Sequence, residues 1–433
     1  MSISHTIKIA LRSSVAKNAA SLYVIQFANY ILPLITIPYL VRVLGPKGYG
    51  IVAFSQSLIE SLMVIVNYGF LLSATRKISV ERDDSISVNR TTFNVLGAKA
   101  FLCVIGFIIL LLLIAFIPRI REVKILLLTL YGIVIGNVLL PVWLFQGMEK
   151  MVIISAINLV TRLLVLIGTF TMIHHPDDDL LYAGLLGIGS ISAGIAGAAV
   201  AVYMFKLHPI IPSWRDMREY LVEGWTLFLS TASISLYTAG NALILGLLTN
   251  HTVVGYYSAA EKIVKGLSSF LGPISQAAYP KFSKMALESK TLALQWGRRM
   301  LLFVIGSGLI VSIVLFWGAP LLVRMALGSG YETSTMVMRI LAALPLLISV
   351  STVLATQIML PFGKDKAFTS IVFGAGCINT VLAILLVPVW QGSGMAVAVL
   401  ISELFVTIAL LIYLTLHQIN PLRQLDTKTG MTA

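Results

Sequence analysis

Long apolar runs constrain the fold of this chain more than any other feature of its sequence. About twelve runs of roughly 20 residues or more can be drawn, and a helix of that length crosses the roughly 30 Å hydrocarbon core of a bilayer. They cover residues 18–41, 49–72, 92–117, 125–145, 152–173, 180–205, 221–248, 253–279, 300–325, 335–361, 368–389 and 394–417. We therefore predict an all-α polytopic membrane protein.

Composition excludes the main soluble classes. The 433 residues are 58% hydrophobic and 11% charged, whereas soluble proteins are about 25% charged. The formal net charge of +13 comes from Lys and Arg residues spread over short loops, which argues against nucleic acid as a partner. The two cysteines, Cys103 and Cys377, lie in apolar runs and predict no disulfide, metal site or cofactor.

The distribution of basic residues predicts the orientation. One set of run ends carries most of the Lys and Arg residues. The opposite set carries only Arg42, Lys47, Arg119, Arg121, Lys124 and Arg324. Because basic loops stay inside, we expect both termini in the cytoplasm.

A weak internal repeat divides the chain in two. Gly48-Tyr49, at the start of the second run, aligns with Gly255-Tyr256, at the start of the eighth. The prediction is an amino-terminal six-helix bundle over residues 1–205, a cytoplasmic linker over 206–220 and a second bundle over 221–433. Parallel repeats of this kind are a known plan for transporters.

The eighth run contains three ionisable residues, Glu261, Lys262 and Lys265. If the span begins near Val253, Lys265 lies roughly 18 Å deep, near the middle of the bilayer. Charge at that depth is costly and predicts a functional site. The structural alternative is an ion pair between Glu261 and Lys265, at i and i+4, plus one lysine that reaches the surface.

Other polar residues within the runs are further candidates. Arg162 suits phosphate or carboxylate, or an ion pair with Glu60 or Glu403. The acids Glu60, Glu261 and Glu403 are candidates for ion coupling. Polar residues of the first and seventh runs either line a hydrated cavity or join helices; they include Asn29, Tyr30, Tyr237 and Asn241. For the last two we expect a shared helix face.

Two further groups receive a simpler interpretation. His174, His175 and Asp177 to Asp179 form a short loop that resembles a metal site, but we predict a solvated acidic loop. Lys99 lies near the inner end of its run, and we expect it to extend toward the membrane surface. The sequence contains no glycine-rich phosphate-binding loop and no recognisable group of catalytic residues, so we do not predict an enzyme.

Two stretches resemble a known family. They are LPLITIPYLVRVLGPKGYG at residues 32–50 and GYYSAAEK at residues 255–262. They resemble the Wzx-type polysaccharide biosynthesis and O-antigen flippases of the multidrug/oligosaccharidyl-lipid/polysaccharide exporter superfamily.

The resemblance implies a V of two six-helix bundles around a central cationic cavity. It implies alternating access that moves undecaprenyl-diphosphate-linked oligosaccharide to the periplasmic leaflet, with Lys262 and Lys265 on the diphosphate. It also implies contact with membrane lipid, and it is compatible with proton or sodium coupling and with association with polymerase and chain-length machinery.

Two other functions stay open at the level of sequence. A cation-coupled multidrug exporter of the same superfamily would prefer an acidic cavity, which the lysines of the eighth run disfavour. A polytopic lipid-linked sugar polymerase or transferase would be expected to carry a large periplasmic loop, whereas the outer connections here are short.

Overall fold

The computed structural model describes residues 14–269, 282, 285 and 288–422. Within these ranges the side chains of residues 14–31, 33, 226, 230, 236 and 237 are not described. The contacts divide the chain into two compact units, Met1–Gly255 (unit 1) and Tyr256–Ala433 (unit 2). This boundary lies later in the chain than the predicted linker at 206–220, and the division into six-helix bundles stays a prediction.

The helices of unit 1 are long and joined by short connections. They are α1 (Ser14–Asn67), α2 (Phe70–Val80), α3 (Ser85–Phe116), α4 (Pro118–Glu122), α5 (Lys124–Leu139), α6 (Val142–Gly147), α7 (Met151–Met172), α8 (Asp179–Phe205), α9 (Trp214–Thr238) and α10 (Asn241–Leu248). Helix α11 (His251–Ser268) begins in unit 1 and continues into unit 2.

Unit 2 contains two π-helical segments among its α-helices. It comprises the rest of α11, α12 (Lys290–Leu322), a π segment (Val323–Leu327), α13 (Thr333–Leu341), α14 (Leu344–Thr352), a second π segment (Val353–Met359) and α15 (Asp365–Leu416).

The two longest helices are each broken at one residue. Gly45 interrupts α1 with φ 65° and ψ 177°, and Gln391 interrupts α15 with φ 48° and ψ −126°. The conformation at Gly45 is one that only glycine adopts without strain. Both breaks fall between predicted apolar runs, so each long helix consists of two shorter ones with almost no connecting loop.

Membrane-crossing capacity follows from length and composition. Eight stretches of the described chain are long and apolar enough to span a bilayer. One of them is Asp365–Leu416, whose 52 residues would extend about 78 Å if straight, more than twice the hydrocarbon thickness. The prediction of an all-α polytopic membrane protein is confirmed at this level.

Each unit has its own buried core. In unit 1, Phe70 and Ile78 of α2 pack with Trp143 and Phe145 of α6. In unit 2, Leu301 of α12 packs with the second π segment and with the end of α15. In each unit this apolar packing fixes the positions of the helices that carry the polar side chains.

Candidate functional site

The charged residues of α11 form a chain of contacts along one helix. The Tyr257 hydroxyl donates to Glu261 Oε1 over 3.1 Å, and Lys265 Nζ lies 2.9 Å from the same oxygen. Tyr257 is fully buried, and the Glu261 side chain is 11% exposed. Glu261 is thus held from the turn before it and the turn after it.

The two partners of this ion pair differ in exposure. The Lys265 side chain is 46% exposed, against 11% for Glu261. Its ammonium group can meet an anion without breaking the bond to Glu261. Lys262 is half-buried and takes part in a separate polar or electrostatic interaction. Glu261, Lys262 and Lys265 together contribute a formal charge of +1 to this part of α11.

Arg162 lies on the protein-facing side of α7. Ser155 and Thr169, seven residues before and after it, share its helix face and are both buried. Leu164 and Ile167 point the other way and are 63% and 57% exposed, as expected of lipid contact. Arg162 is nevertheless exposed, so its side chain is accessible on the protein-facing side of the helix.

The described contacts of Arg162 leave its guanidinium available. It forms no ion pair among the residues that the structure describes. Its planar group offers five N–H donors that match phosphate or carboxylate. The position is therefore suited to an anionic ligand.

A serine hydroxyl interrupts the seventh run. Ser57 Oγ donates to the Ala239 carbonyl over 2.6 Å and accepts from the Leu243 amide over 3.1 Å. These two backbone groups would bond to each other in a continuous helix. The inserted hydroxyl accounts for the break between α9 and α10 and ties it to α1.

This break changes the expected polar stripe. Ser233 lies on α9, whereas Asn241 opens α10 beyond the interruption, and both are buried. The predicted shared face of Tyr237 and Asn241 assumed one regular helix, which the structure does not have. The side chains of Tyr237, Asn29 and Tyr30 lie outside the described residues.

The remaining candidate acids differ in their surroundings. Glu403 of α15 is buried and accepts a 2.7 Å hydrogen bond from the Ser351 hydroxyl. Glu60 of α1 is exposed and takes part in a polar or electrostatic interaction. Glu261 is already engaged by a lysine. Among these three acids, Glu403 is therefore the one that is buried and hydrogen-bonded to a neutral hydroxyl.

The loop of histidines and aspartates is closed by backbone hydrogen bonds. Asp178 Oδ2 accepts from the His175 amide over 2.7 Å and from the His174 amide over 2.8 Å. These bonds hold the pKa of Asp178 below its ordinary value. The carboxylate serves the turn that precedes α8.

Comparison with known proteins identifies the family. A family model described as "Polysaccharide biosynthesis protein" matches residues 15–286, more than half of the chain. The chain belongs to the polysaccharide biosynthesis protein family. The resemblance carried by residues 32–50 and 255–262 is confirmed.

Two curated proteins are similar to this chain over nearly their whole length. A protein of Escherichia coli K12 named "Putative O-antigen transporter" is 32% identical over 409 residues, which are 94% of this chain and 98% of that protein. A Shigella dysenteriae protein of the same name is 29% identical, over 91% and 98% respectively.

Solved structures show where the fold of this family member recurs. The lipid II flippase MurJ in an inward closed conformation has a TM-score of 0.70 at 15% identity, covering 92% of this chain and 87% of MurJ. An inward-facing multidrug resistance MATE transporter has a TM-score of 0.63 at 14% identity, covering 93% and 98%. At such identities the likeness concerns the fold alone.

The structure places the cation of Lys99 differently from the sequence-based prediction. Lys99 of α3 is 3% exposed, and its Nζ donates over 3.0 Å to both the carbonyl and the side-chain oxygen of Asn137. It also lies 4.9 Å from the centre of the Trp143 ring. The expectation that Lys99 extends to the membrane surface is wrong.

A sequence signal for the Lys99 contact did exist. The carbonyl of Asn137 would bond in a helix to the amide of residue 141, but that residue is Pro141 and has no N–H. The ammonium of Lys99 supplies the missing donor at the end of α5. A buried lysine on a neighbouring run is one way to satisfy such a carbonyl.

Proposed function

We propose that this protein is a flippase for an undecaprenyl-diphosphate-linked oligosaccharide, an O-antigen or related repeat unit. Its family membership supports the proposal, as do two relatives named for O-antigen transport and a fold shared with a lipid II flippase. The protein moves its substrate from the cytoplasmic to the periplasmic leaflet by alternating access and makes or breaks no covalent bond.

The charge arrangement of α11 is the observation that carries this proposal. The diphosphate of such a lipid carries roughly two negative charges, and charge-assisted hydrogen bonds from ammonium groups bind such an anion well. The Lys265 side chain, which is 46% exposed, and the half-buried Lys262 supply these contacts. Glu261 sets the position of Lys265 through their ion pair.

Arg162 is the second proposed anion contact. Its exposed guanidinium on the inner side of α7 offers a bidentate partner for phosphate or for an acidic sugar. We assign sugar hydroxyls to Asn29, Tyr30, Tyr237 and Asn241. In this assignment the charged residues bind the diphosphate, and the neutral polar residues form hydrogen bonds with the oligosaccharide.

The architecture that we propose has twelve spans in two parallel six-helix repeats. The protein lies in a bacterial inner membrane, with both termini on the cytoplasmic side. The single-residue breaks at Gly45 and Gln391 support this number, because they divide α1 and α15 into two span-length helices each.

The membrane potential contributes to the driving force in this proposal. Moving one charge is worth about 2.3 kcal/mol per 100 mV, so an anion of roughly two charges leaving a negative interior gains about 4 to 5 kcal/mol. Coupling to a proton or sodium ion is an addition to this gain. Among Glu60, Glu261 and Glu403, we favour Glu403, which is buried and accepts a hydrogen bond from the neutral Ser351 hydroxyl.

The test reconstitutes the purified protein in liposomes with fluorescent undecaprenyl-diphosphate-linked oligosaccharide and follows its movement with a membrane-impermeant quencher. We expect the Lys262→Met/Lys265→Met double variant to transport at least about tenfold more slowly, since one charge-assisted contact is worth about 1.5–3 kcal/mol. Lys265→Arg keeps the charge and should retain more activity than Lys265→Met.

Lys366→Met is the matched control, because it makes the same chemical change at an exposed lysine on the first turn of α15. A double variant that is folded and transports at the wild-type rate would overturn the site assignment. Failure of the wild-type protein to move the diphosphate lipid would overturn the function itself.

A further inference from the structure

A tight contact joins the start of α11 to α1. A Cβ atom added to Gly50 would lie 1.7 Å from the carbonyl oxygen of His251, and one added to Gly255 would lie 1.9 Å from the carbonyl oxygen of Pro46. The two helices thus approach backbone to backbone through a glycine on each side. We call the contact of residues 46–50 with His251–Gly255 the latch.

An imidazole ring is buried within the latch. His251 is 8% exposed, and its ring meets Phe54 edge to face with centroids 5.4 Å apart. Neither ring nitrogen forms a hydrogen bond of normal geometry with the described residues. A charged imidazolium in this place would have no acceptor for its Nδ1–H, and its Nε2–H would face only Glu122, at the long distance of 3.5 Å.

The charged groups around His251 come from α4 and α1. Glu122 Oε2 lies 3.5 Å from His251 Nε2, and Glu122 also faces Arg119 at 3.6 Å. Arg119 and Lys47 are the cations that act on the ring. Glu122 is 52% exposed, so water weakens its attraction for a charged imidazole.

These surroundings fix the direction of the proton effect. Burial lowers the pKa of His251 from its ordinary value; Glu122 opposes this shift, and Arg119 and Lys47 add to it. An imidazole in water titrates near pH 6.5. A proton therefore binds more readily when the ring is hydrated than when the latch is closed.

We propose that His251 makes the latch sensitive to pH, so that protonation of its ring favours the conformation in which His251–Gly255 leaves α1 and Glu122. Acid opens the latch as the pH falls below about 6.5, and neutral or alkaline pH keeps it closed. This device goes beyond the proposed function, since it concerns a conformational equilibrium that needs no substrate.

The position of His251 gives the latch a route to the charged residues. Helix α11 is continuous from His251 to Ser268, and Lys262 lies eleven residues, or about 16 Å, along it. A displacement of the first turn therefore reaches Lys262 through one helix. The basic-loop rule predicts that the latch faces the periplasm, whose pH follows the outside medium.

The test measures the distance between spin labels on Ile125→Cys and Thr252→Cys, in protein whose native cysteines have been replaced by serine. Ile125 is exposed on α5, beside the His251 contact Glu122, and Thr252 lies on the first turn of α11. We expect a longer-distance population at pH 5.5 that is absent at pH 8. His251→Gln should abolish this response.

Two further variants sharpen the measurement. His417→Gln, at an exposed histidine near the end of α15, should respond to pH like the parent protein. Glu122→Gln removes the group that favours a charged ring in the closed latch, so its acid response should be larger. This variant keeps His251 and remains informative if His251→Gln does not fold.

Three results would overturn the proposal: a distance that does not change with pH, a distance that shortens in acid, and an opening that persists in His251→Gln. Because the labelled protein is measured without substrate, none of these results bears on whether the protein moves lipid-linked oligosaccharide.

Discussion

Replacing Gly50 by alanine tests the backbone-to-backbone approach of α1 and α11 in unit 1. The added Cβ would start 1.7 Å from the His251 carbonyl oxygen and would have to reach about 3.0 Å, a displacement of at least about 1.3 Å. The obstacle is backbone rather than a flexible side chain, so it can yield only if α1 and α11 separate. Gly255→Ala should act in the same way from the other helix.

The size of the effect follows from the cost of overpacking. Inserting a methyl group into a packed contact destabilises a protein by about 1–3 kcal/mol. For domains of 150–250 residues, 1 kcal/mol shifts the unfolding midpoint by about 2–4 °C. We therefore expect Gly50→Ala to lower the unfolding midpoint of the purified protein by roughly 2–12 °C.

The assay is thermal unfolding in detergent, followed by tryptophan fluorescence at one fixed heating rate, since unfolding of such proteins is commonly irreversible. Gly184→Ala is the matched control. Gly184 lies within α8 of the same unit, and a Cβ added there meets nothing within 4 Å. Alanine should leave its midpoint unchanged or slightly raised, because alanine favours helix over glycine.

The reasoning would be refuted if Gly50→Ala and Gly184→Ala unfolded at the same temperature. The two substitutions add the same atom and differ in what that atom meets. Equal midpoints would mean that α1 and α11 do not cross as closely as described.

Two other contacts give predictions of their own. Ser57→Ala removes the hydroxyl between Ala239 and Leu243, so the direct backbone hydrogen bond can form and the α9–α10 junction should straighten. We expect a longer distance between spin labels at positions 222 and 248. An unchanged distance would contradict this prediction. Lys99→Met leaves the Asn137 carbonyl without a donor, which costs about 1–3 kcal/mol, so its unfolding midpoint should fall by roughly 2–12 °C. Lys366→Met should stay within about 2 °C of the wild-type midpoint.

The helices were predictable because hydropathy is a local property of the chain. The apolar runs locate the membrane-crossing stretches, and the gaps between runs near Gly45 and Gln391 coincide with the breaks in α1 and α15. The family was predictable for a similar reason, since two short stretches carry it. Both inferences need only residues that are close in sequence.

The direction of polar side chains was not predictable in the same way. Lys99 turns inward because a carbonyl on α5 lacks its usual donor, and the seventh run breaks because a hydroxyl from α1 enters its backbone hydrogen bonds. Each outcome depends on a partner far along the chain. The inward face of Arg162 likewise emerges only from the burial of Ser155 and Thr169.

The breaks at Gly45 and Gln391 bear on how the protein enters the membrane. Each joins two span-length helices through a single non-helical residue, so the second helix of each pair has little freedom to wait in water while the first inserts. We expect each pair to enter the bilayer as a preformed hairpin. Epitope tags or reporter domains placed at these two positions would then disrupt biogenesis, whereas the wider connections at 206–213 and 328–332 offer safer sites for mapping topology.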